Sequence, residues 1–284
     1  MCLTRAFLSS QLLSSFEKQS SFVPILLATF QNERCCYSIF KTPIVADVSY
    51  ILGEKGKMGE DDAKFYISCI ILALEFLEKE GYMTRMVNPS SIMITGLGFP
   101  VLSDLRFCKL MDGRRSFTMC GEQTYMAPEM ITGEGYDFAV DSWGLGVLGY
   151  EMVVGSNPFG NSEVQETVVF KNITEYNFGD FRTEIVKTRK DLSQECLNTI
   201  DMLLHTDPAK RLGGTGASTI KNSMWFRDMD WTKLKEQQVE LPHRDLMYRL
   251  LHDKGQKEED VADFTQEIEE MGEVVIDEPL FEGF

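Results

Sequence analysis

Gly144, Gly146 and Gly149 in "DSWGLGVLGYEM" have the G-x-G-x-x-G spacing of a phosphate-cradling loop. Such a loop must follow a strand and leave its backbone N–H groups free. Here the glycines fall within 137–154, "DFAVDSWGLGVLGYEMVV", a stretch apolar on nearly every side that predicts a helix buried all round. Inside a helix those N–H groups are already bonded, so the three glycines are expected to serve close packing and not nucleotide binding. Cysteine chemistry has little support either. The seven cysteines (2, 35, 36, 69, 108, 120 and 196) form no C-x-x-C pair and are odd in number, as expected of a reducing, cytoplasmic compartment. Asn172-Ile173-Thr174 matches a glycosylation sequon, which carries little weight there. That leaves the loop 82–94, "YMTRMVNPSSIMI", a polar turn running into a short strand and followed by "VLSDLRFCKL".

The elements that must hold this loop are legible in the pattern of the chain. With 284 residues, 43% of them hydrophobic, it can bury one large core or two small ones. Its formal charge of −16 argues against nucleic acid or an anionic membrane as partner, since both require a basic face. Eleven acidic residues lie between Glu258 and Glu282 with no Lys or Arg among them, which predicts a solvated tail. No apolar run approaches the ~18 residues of a membrane span. "AFLSSQLL" is too short for a signal peptide, and Cys2 stands where myristoylation requires glycine.

Segments 22–30 and 36–40 read as two strands around the turn "QNER". From Glu60 to Glu80 an acidic start, the apolar positions Phe65, Ile67, Ile70, Ile71, Leu74 and Leu77, and the closing Gly81 predict a capped helix. Two short strands are expected at 92–94 and 99–102. An amphipathic helix is expected over 193–204 with Ser193 as N-cap, stopping at Asp207-Pro208. From about 225 the chain is expected to run on as a tail.

Several motifs then occur in one order. "FTMCGEQTY" (117–125) precedes "APE" (127–129), followed by "DSWGLGVLGYEM" (141–152), "GSNPF" (155–159) and "DPAKRLGG" (207–214). Together they resemble the C-terminal lobe of eukaryotic protein kinases. The form T-x-C-G-x-x-x-Y-x-A-P-E and the closing "WFRDMDWTKL" resemble the cyclic-nucleotide-dependent (cGMP/cAMP) branch of the AGC Ser/Thr group. Arg106 and the degenerate loop are also similar to the kinase-like module of proteins that fuse a type-2C phosphatase, cyclic-nucleotide-binding domains and a kinase domain. The resemblance implies a mainly α (α+β) fold. Its expected parts are a small-lobe remnant over 1–42 (a helix and two strands), a C-terminal lobe over 43–226, and an acidic AGC-type extension over 227–284.

The resemblance also says which parts an active kinase needs. A Gly-rich loop covers the phosphates, a strand Lys paired with a helix Glu grips them, and a loop Asp accepts the substrate proton. An Asn and the Asp of D-F-G hold magnesium. Before the first predicted strand there is no glycine, and Lys18 is the only lysine, so the phosphate roof is expected to be missing, as in a truncated product or a small lobe that never was complete. The family's loop H/Y-R-D-L-K-P-x-N is represented by Thr84 to Ser91. Met86 takes the place of the proton acceptor, Asn88 that of the Lys, and Ser91 that of the metal-binding Asn. A thioether accepts no proton at neutral pH, and loss of a general base costs about 10²–10⁴ in rate.

"SDLRF" (103–107) aligns with D-F-G, making Asp104 the retained metal-binding Asp and placing Arg106 at the Gly. Asp47 stands either at a ribose-binding position or at a helix N-cap. By the same resemblance Glu129 and Arg211 form a buried ion pair, Asp141 accepts N–H bonds from the loop, and Arg85 pairs with a phosphate on Thr118. Arg85 bonded only to carbonyls beside an unmodified Thr118 is the plainer alternative. The terminal "FEGF" resembles a docking motif whose rings, Phe281 and Phe284, insert into the small lobe or another protein.

The expectation is therefore a pseudokinase that binds other proteins, with Mg-ATP as cofactor only if residual nucleotide binding exists. The rivals are a truncated Ser/Thr kinase active when its small lobe is supplied, and a fragment that does not fold stably.

Overall fold

The computed structural model describes residues 16, 19–31, 36–41, 43–161, 163–177, 182, 185, 186, 188–243, 246 and 249, and of 28–31 and 36–38 the backbone alone. Strands β1 (Leu26–Gln31) and β2 (Cys36–Phe40) pair antiparallel, with Thr29 opposite Ser38 and Phe30 opposite Tyr37. β1 begins at Leu26 and not at 22. Phe22 and Val23 turn into the core, and the Phe22 carbonyl accepts a bond from Leu102 N at 2.9 Å, so this segment is diverted from the hairpin. The helix expected within 1–42 lies outside the described residues.

Five further strands follow: β3 (Ile44–Asp47), β4 (Tyr82–Met83), β5 (Ile92–Thr95), β6 (Pro100–Leu102) and β7 (Lys109–Leu110). β5 lies between β3 and β6, all antiparallel, while β4 pairs with β7. The candidate loop at 84–91 thus leaves one small ladder and enters another, held at both ends.

Helices α1 (Val48–Lys55), α2 (Glu60–Lys79), α3 (Pro128–Thr132), α4 (Ala139–Val154), α5 (Glu166–Thr174), α6 (Gln194–Leu203) and α7 (Trp231–Lys235) build the lobe. α2 starts on Glu60, Asp61 and Asp62, which suit the positive end of the helix dipole, and ends on Lys79, which suits the negative end. Gly81, at φ +84°, then lets the chain reverse into β4. α6 is capped by the Ser193 hydroxyl, which accepts from Cys196 N at 3.0 Å. The three glycines of the G-x-G-x-x-G string lie inside α4. A Cβ on Gly146 would sit 2.8 Å from Leu203 Cβ, and one on Gly144 would sit 3.2 Å from the Val87 carbonyl. They bring α4 close to α6 and to the candidate loop, and they cradle no phosphate.

The segment after 226 is not simply a tail. Trp225 and Phe226 are buried, Trp225 Nε1 donates to Glu60 Oε1 at 2.9 Å, and Leu234 on α7 is fully enclosed. His243 returns to α2, its Nε2 3.0 Å from Asp62 Oδ2 and its Nδ1 3.4 Å from the Tyr66 hydroxyl. Apolar anchors at 234 and 241 outweigh the acidic composition that begins further on. The acidic residues 258–282 lie outside the described residues.

Burial pushes the His243 imidazole below its usual 6.5, against the pull of Asp62 and with help from Lys55. The folded state therefore favours neutral His243. Stability from this latch is complete above the unfolded value and is lost as pH falls through the lower folded one. Amide exchange over 238–243, corrected for intrinsic rates, is expected to rise between about pH 7 and about pH 5 while that of α4 stays constant. Unchanged protection would remove the latch from the account.

Candidate functional site

Asp141, in the first turn of α4, fixes the candidate loop from below. Its carboxylate accepts from Thr84 N, Thr84 Oγ1 and Arg85 N, each at 2.7 Å. Burial pushes the Asp141 carboxyl up, opposed by these three bonds and by the Arg85 charge. Arg85 is held at φ +59°, a left-handed conformation that a side-chain-bearing residue adopts only when its surroundings impose it. Its Nε donates to the Phe107 carbonyl at 2.8 Å and an Nη to the Tyr136 hydroxyl at 3.1 Å. Tyr136 in turn donates to the Thr118 carbonyl. Thr118 itself is exposed, between the exposed Phe117 and Met119. Arg85 and the Thr118 backbone are thus joined through Tyr136, a residue the sequence did not single out.

The three replaced positions face inward on one another. Asn88 is 1% exposed and caps a 3₁₀ turn over Pro89–Ser91, its Oδ1 accepting from Ser91 N at 2.8 Å and from Ser90 Oγ at 3.2 Å. Ser91 completes the reciprocal cap, its Oγ accepting from Asn88 N at 3.1 Å and donating to the Asn88 carbonyl at 2.8 Å. The Asn88 amide also donates to Glu122 Oε2 at 2.5 Å and approaches the Met86 sulfur at 3.9 Å. Glu122, thirty-four positions away, was not legible as a partner of the loop. Gly121 delivers it there: at φ +102°, a Cβ would lie 2.7 Å from the Arg85 carbonyl.

Asp104 is turned onto its own neighbour. Arg106 Nε meets Oδ1 at 2.8 Å, an Arg106 Nη meets Oδ2 at 2.6 Å, and Arg106 N reaches Oδ1 at 3.2 Å. Asp47 caps α1, its Oδ1 accepting from Tyr50 N at 2.8 Å and from Ser49 Oγ at 2.6 Å. A cavity beside the loop, bounded by Met86, Asn88, Glu122 and Asp141, has about 10 Å³, room for one water at most. A second, of about 170 Å³ between Ile25, Phe40, Ile44 and Leu97, is lined by neither Asp104 nor Asp47.

Glu129 and Arg211 form a buried two-pronged ion pair at 2.7 and 2.9 Å. The same guanidinium donates to the carbonyls of His205 (2.8 Å) and Ala139 (2.9 Å) and lies 5.1 Å from the centre of the Trp143 ring. Phe281 and Phe284 lie outside the described residues.

With this arrangement established, comparison with known proteins is informative. Residues 10–226 match the family described as the protein kinase domain. The chain belongs to the protein kinase family. It is 30% identical over 230 residues to cGMP-dependent protein kinase 2 of Rattus norvegicus, covering 79% of this chain and 29% of that protein. The Homo sapiens protein of the same name gives 30% over 228 residues, 78% of this chain and 29% of the relative. The isozyme 2 forms cD5/T2 of Drosophila melanogaster give 29% over 231 residues, 80% and 24%. The chain therefore spans under a third of the length of these relatives. No helix among the described residues is long and apolar enough to cross a membrane.

Kinase chemistry calls for a divalent cation, and the residues here do not fit one. Asp104 has both oxygens on Arg106, the Ser91 hydroxyl is closed into the cap, and the Asn88 carbonyl oxygen is taken by Ser90 and Ser91. Among the described residues no cluster of three or more His, Cys, Asp or Glu is placed to hold a metal ion.

Proposed function

We propose that this chain is a protein-kinase fold that transfers no phosphoryl group and acts as a binding and regulatory module in signalling, in a pathway of the cyclic-nucleotide-dependent kind. The observation that carries the reading is the loop 84–91. Met86 brings a thioether where a base is required, and the other two replaced side chains are spent on capping and on Glu122. The supports are complete by contrast: Asp141 holds Thr84 and Arg85 of the loop, and elsewhere in the lobe Glu129 pairs with Arg211. A chain that keeps its fold while its reacting positions change is suited to recognition. The acidic C-terminal segment ending in "FEGF" is the part proposed to engage another protein.

The test is transfer of labelled phosphate from Mg-ATP by the full chain, to itself and to a panel of Ser/Thr peptides. Active kinases turn over at about 1–100 per second, and loss of the base alone removes about 10²–10⁴ of that. Incorporation is expected to stay at the level of a no-enzyme blank, and Met86→Asp alone is expected not to restore it. Incorporation abolished by Asp104→Asn would overturn the reading. Saturating Mg-ATP is likewise expected to leave the melting temperature unmoved.

A further inference from the structure

We propose that Arg106 is an internal counter-ion that occupies the one retained metal-binding carboxylate and keeps divalent cations out of this site. The inference rests on the reading of the loop as non-catalytic and adds how its metal position is closed. The planar fork of the guanidinium matches both carboxylate oxygens, at 2.8 and 2.6 Å, and the Arg106 backbone adds a third donor at 3.2 Å. Three donors on one carboxylate leave little for a cation to coordinate, and the fixed positive charge repels one at every physiological pH.

The main chain that carries the carboxylate is held as well. Ser103 N and Asp104 N both bond to the Ser91 carbonyl, at 3.0 and 3.4 Å, which ties this turn to the capped loop. Ser91 itself offers no oxygen outward, since it is fully buried and bonded to Asn88. With the Asp104 side chain 14% and the Arg106 side chain 46% exposed, the pair is partly screened. Its consequence is therefore occupancy of the carboxylate and not a large gain in stability.

Paramagnetic Mn²⁺ titrated into the full nitrogen-15-labelled chain reads this site separately from the acidic residues elsewhere. In the wild type the amide signals of Leu102 and Leu105 are expected to persist as Mn²⁺ is added. In Arg106→Gly and Arg106→Gln they are expected to broaden away at on the order of tenfold less manganese, as loss of one competing two-pronged ion pair implies. Arg106→Lys, which keeps the charge, is expected to protect them, and Asp104→Asn added to Arg106→Gln is expected to restore the wild-type response. The glutamine variant keeps a polar side chain of similar length, and both variants are compared by amide spectrum first. Broadening in the wild type that Asp104→Asn removes would overturn the proposal, as would an unchanged response in both uncharged variants. Either result leaves the phosphate-transfer assay to decide the wider reading, and transfer by the wild type would sink that reading whatever manganese does.

Discussion

Arg211→Ala is expected to lower stability by about 3–5 kcal/mol, because it leaves a buried carboxylate without its charge partner. Glu129 is 4% exposed, and its oxygens meet Arg211 at 2.7 and 2.9 Å. The substitution also withdraws donors from the carbonyls of His205 and Ala139 and empties space beside Trp143. At about 2–4 °C per kcal/mol for a domain of this size, thermal melts should show a fall on the order of 10 °C. Arg211→Lys is expected to fall between wild type and alanine, since an ammonium cannot grip both oxygens in one plane. The informative variant is Glu129→Leu with Arg211→Met, which removes both charges. It should recover much of the loss, because the penalty lies in the orphaned charge more than in the missing attraction. A double variant as unstable as Arg211→Ala would mean that the carbonyl bonds, and not the ion pair, hold this corner.

Asp141→Ala is expected to be comparably costly, by a different route. Two backbone N–H groups and one hydroxyl would lose their acceptor at a buried site. Each unsatisfied group costs about 1–3 kcal/mol, so a total of about 3–5 kcal/mol follows once a water partly replaces the carboxylate. Residue-resolved amide exchange separates this from general loosening. Thr84 N and Arg85 N donate to Asp141, so their protection should collapse first, and the left-handed turn at Arg85 should relax with it. Protection lost evenly along α4 and α2 would instead point to global destabilisation. Asp141→Asn is expected to be intermediate, because its amide nitrogen would turn a donor toward donors already there.

Both substitutions test the brace and leave the reacting positions untouched. If Asp141→Ala abolishes binding of a protein partner while Met86→Asp does not, the value of the loop lies in its shape. That is the outcome expected under the proposed reading of the chain as a binding module.

What the sequence determined follows from short-range rules. Helix α2 was readable from its acidic start, its apolar spacing and Gly81, α6 from Ser193, and the burial of α4 from a stretch apolar on every face. The identities of Met86, Asn88 and Ser91 were also sufficient to show which chemical groups the loop lacks, since no fold turns a thioether into a base. The family was legible in the order of its motifs for the same reason: each is a local string. The partners of those residues were not. Asn88 meets Glu122 thirty-four positions away, Thr84 meets Asp141 at fifty-seven, and Glu129 meets Arg211 at eighty-two. No spacing rule reaches that far. Even for Arg106 and Asp104, two positions apart, spacing did not say that the guanidinium would close on the carboxylate. The fate of 227–243 was decided by Leu234 and His243 finding room on the lobe, which composition does not report. Periodicity and side-chain chemistry fix what each segment can be, and only the long-range contacts of the folded chain fix which groups are left free to act.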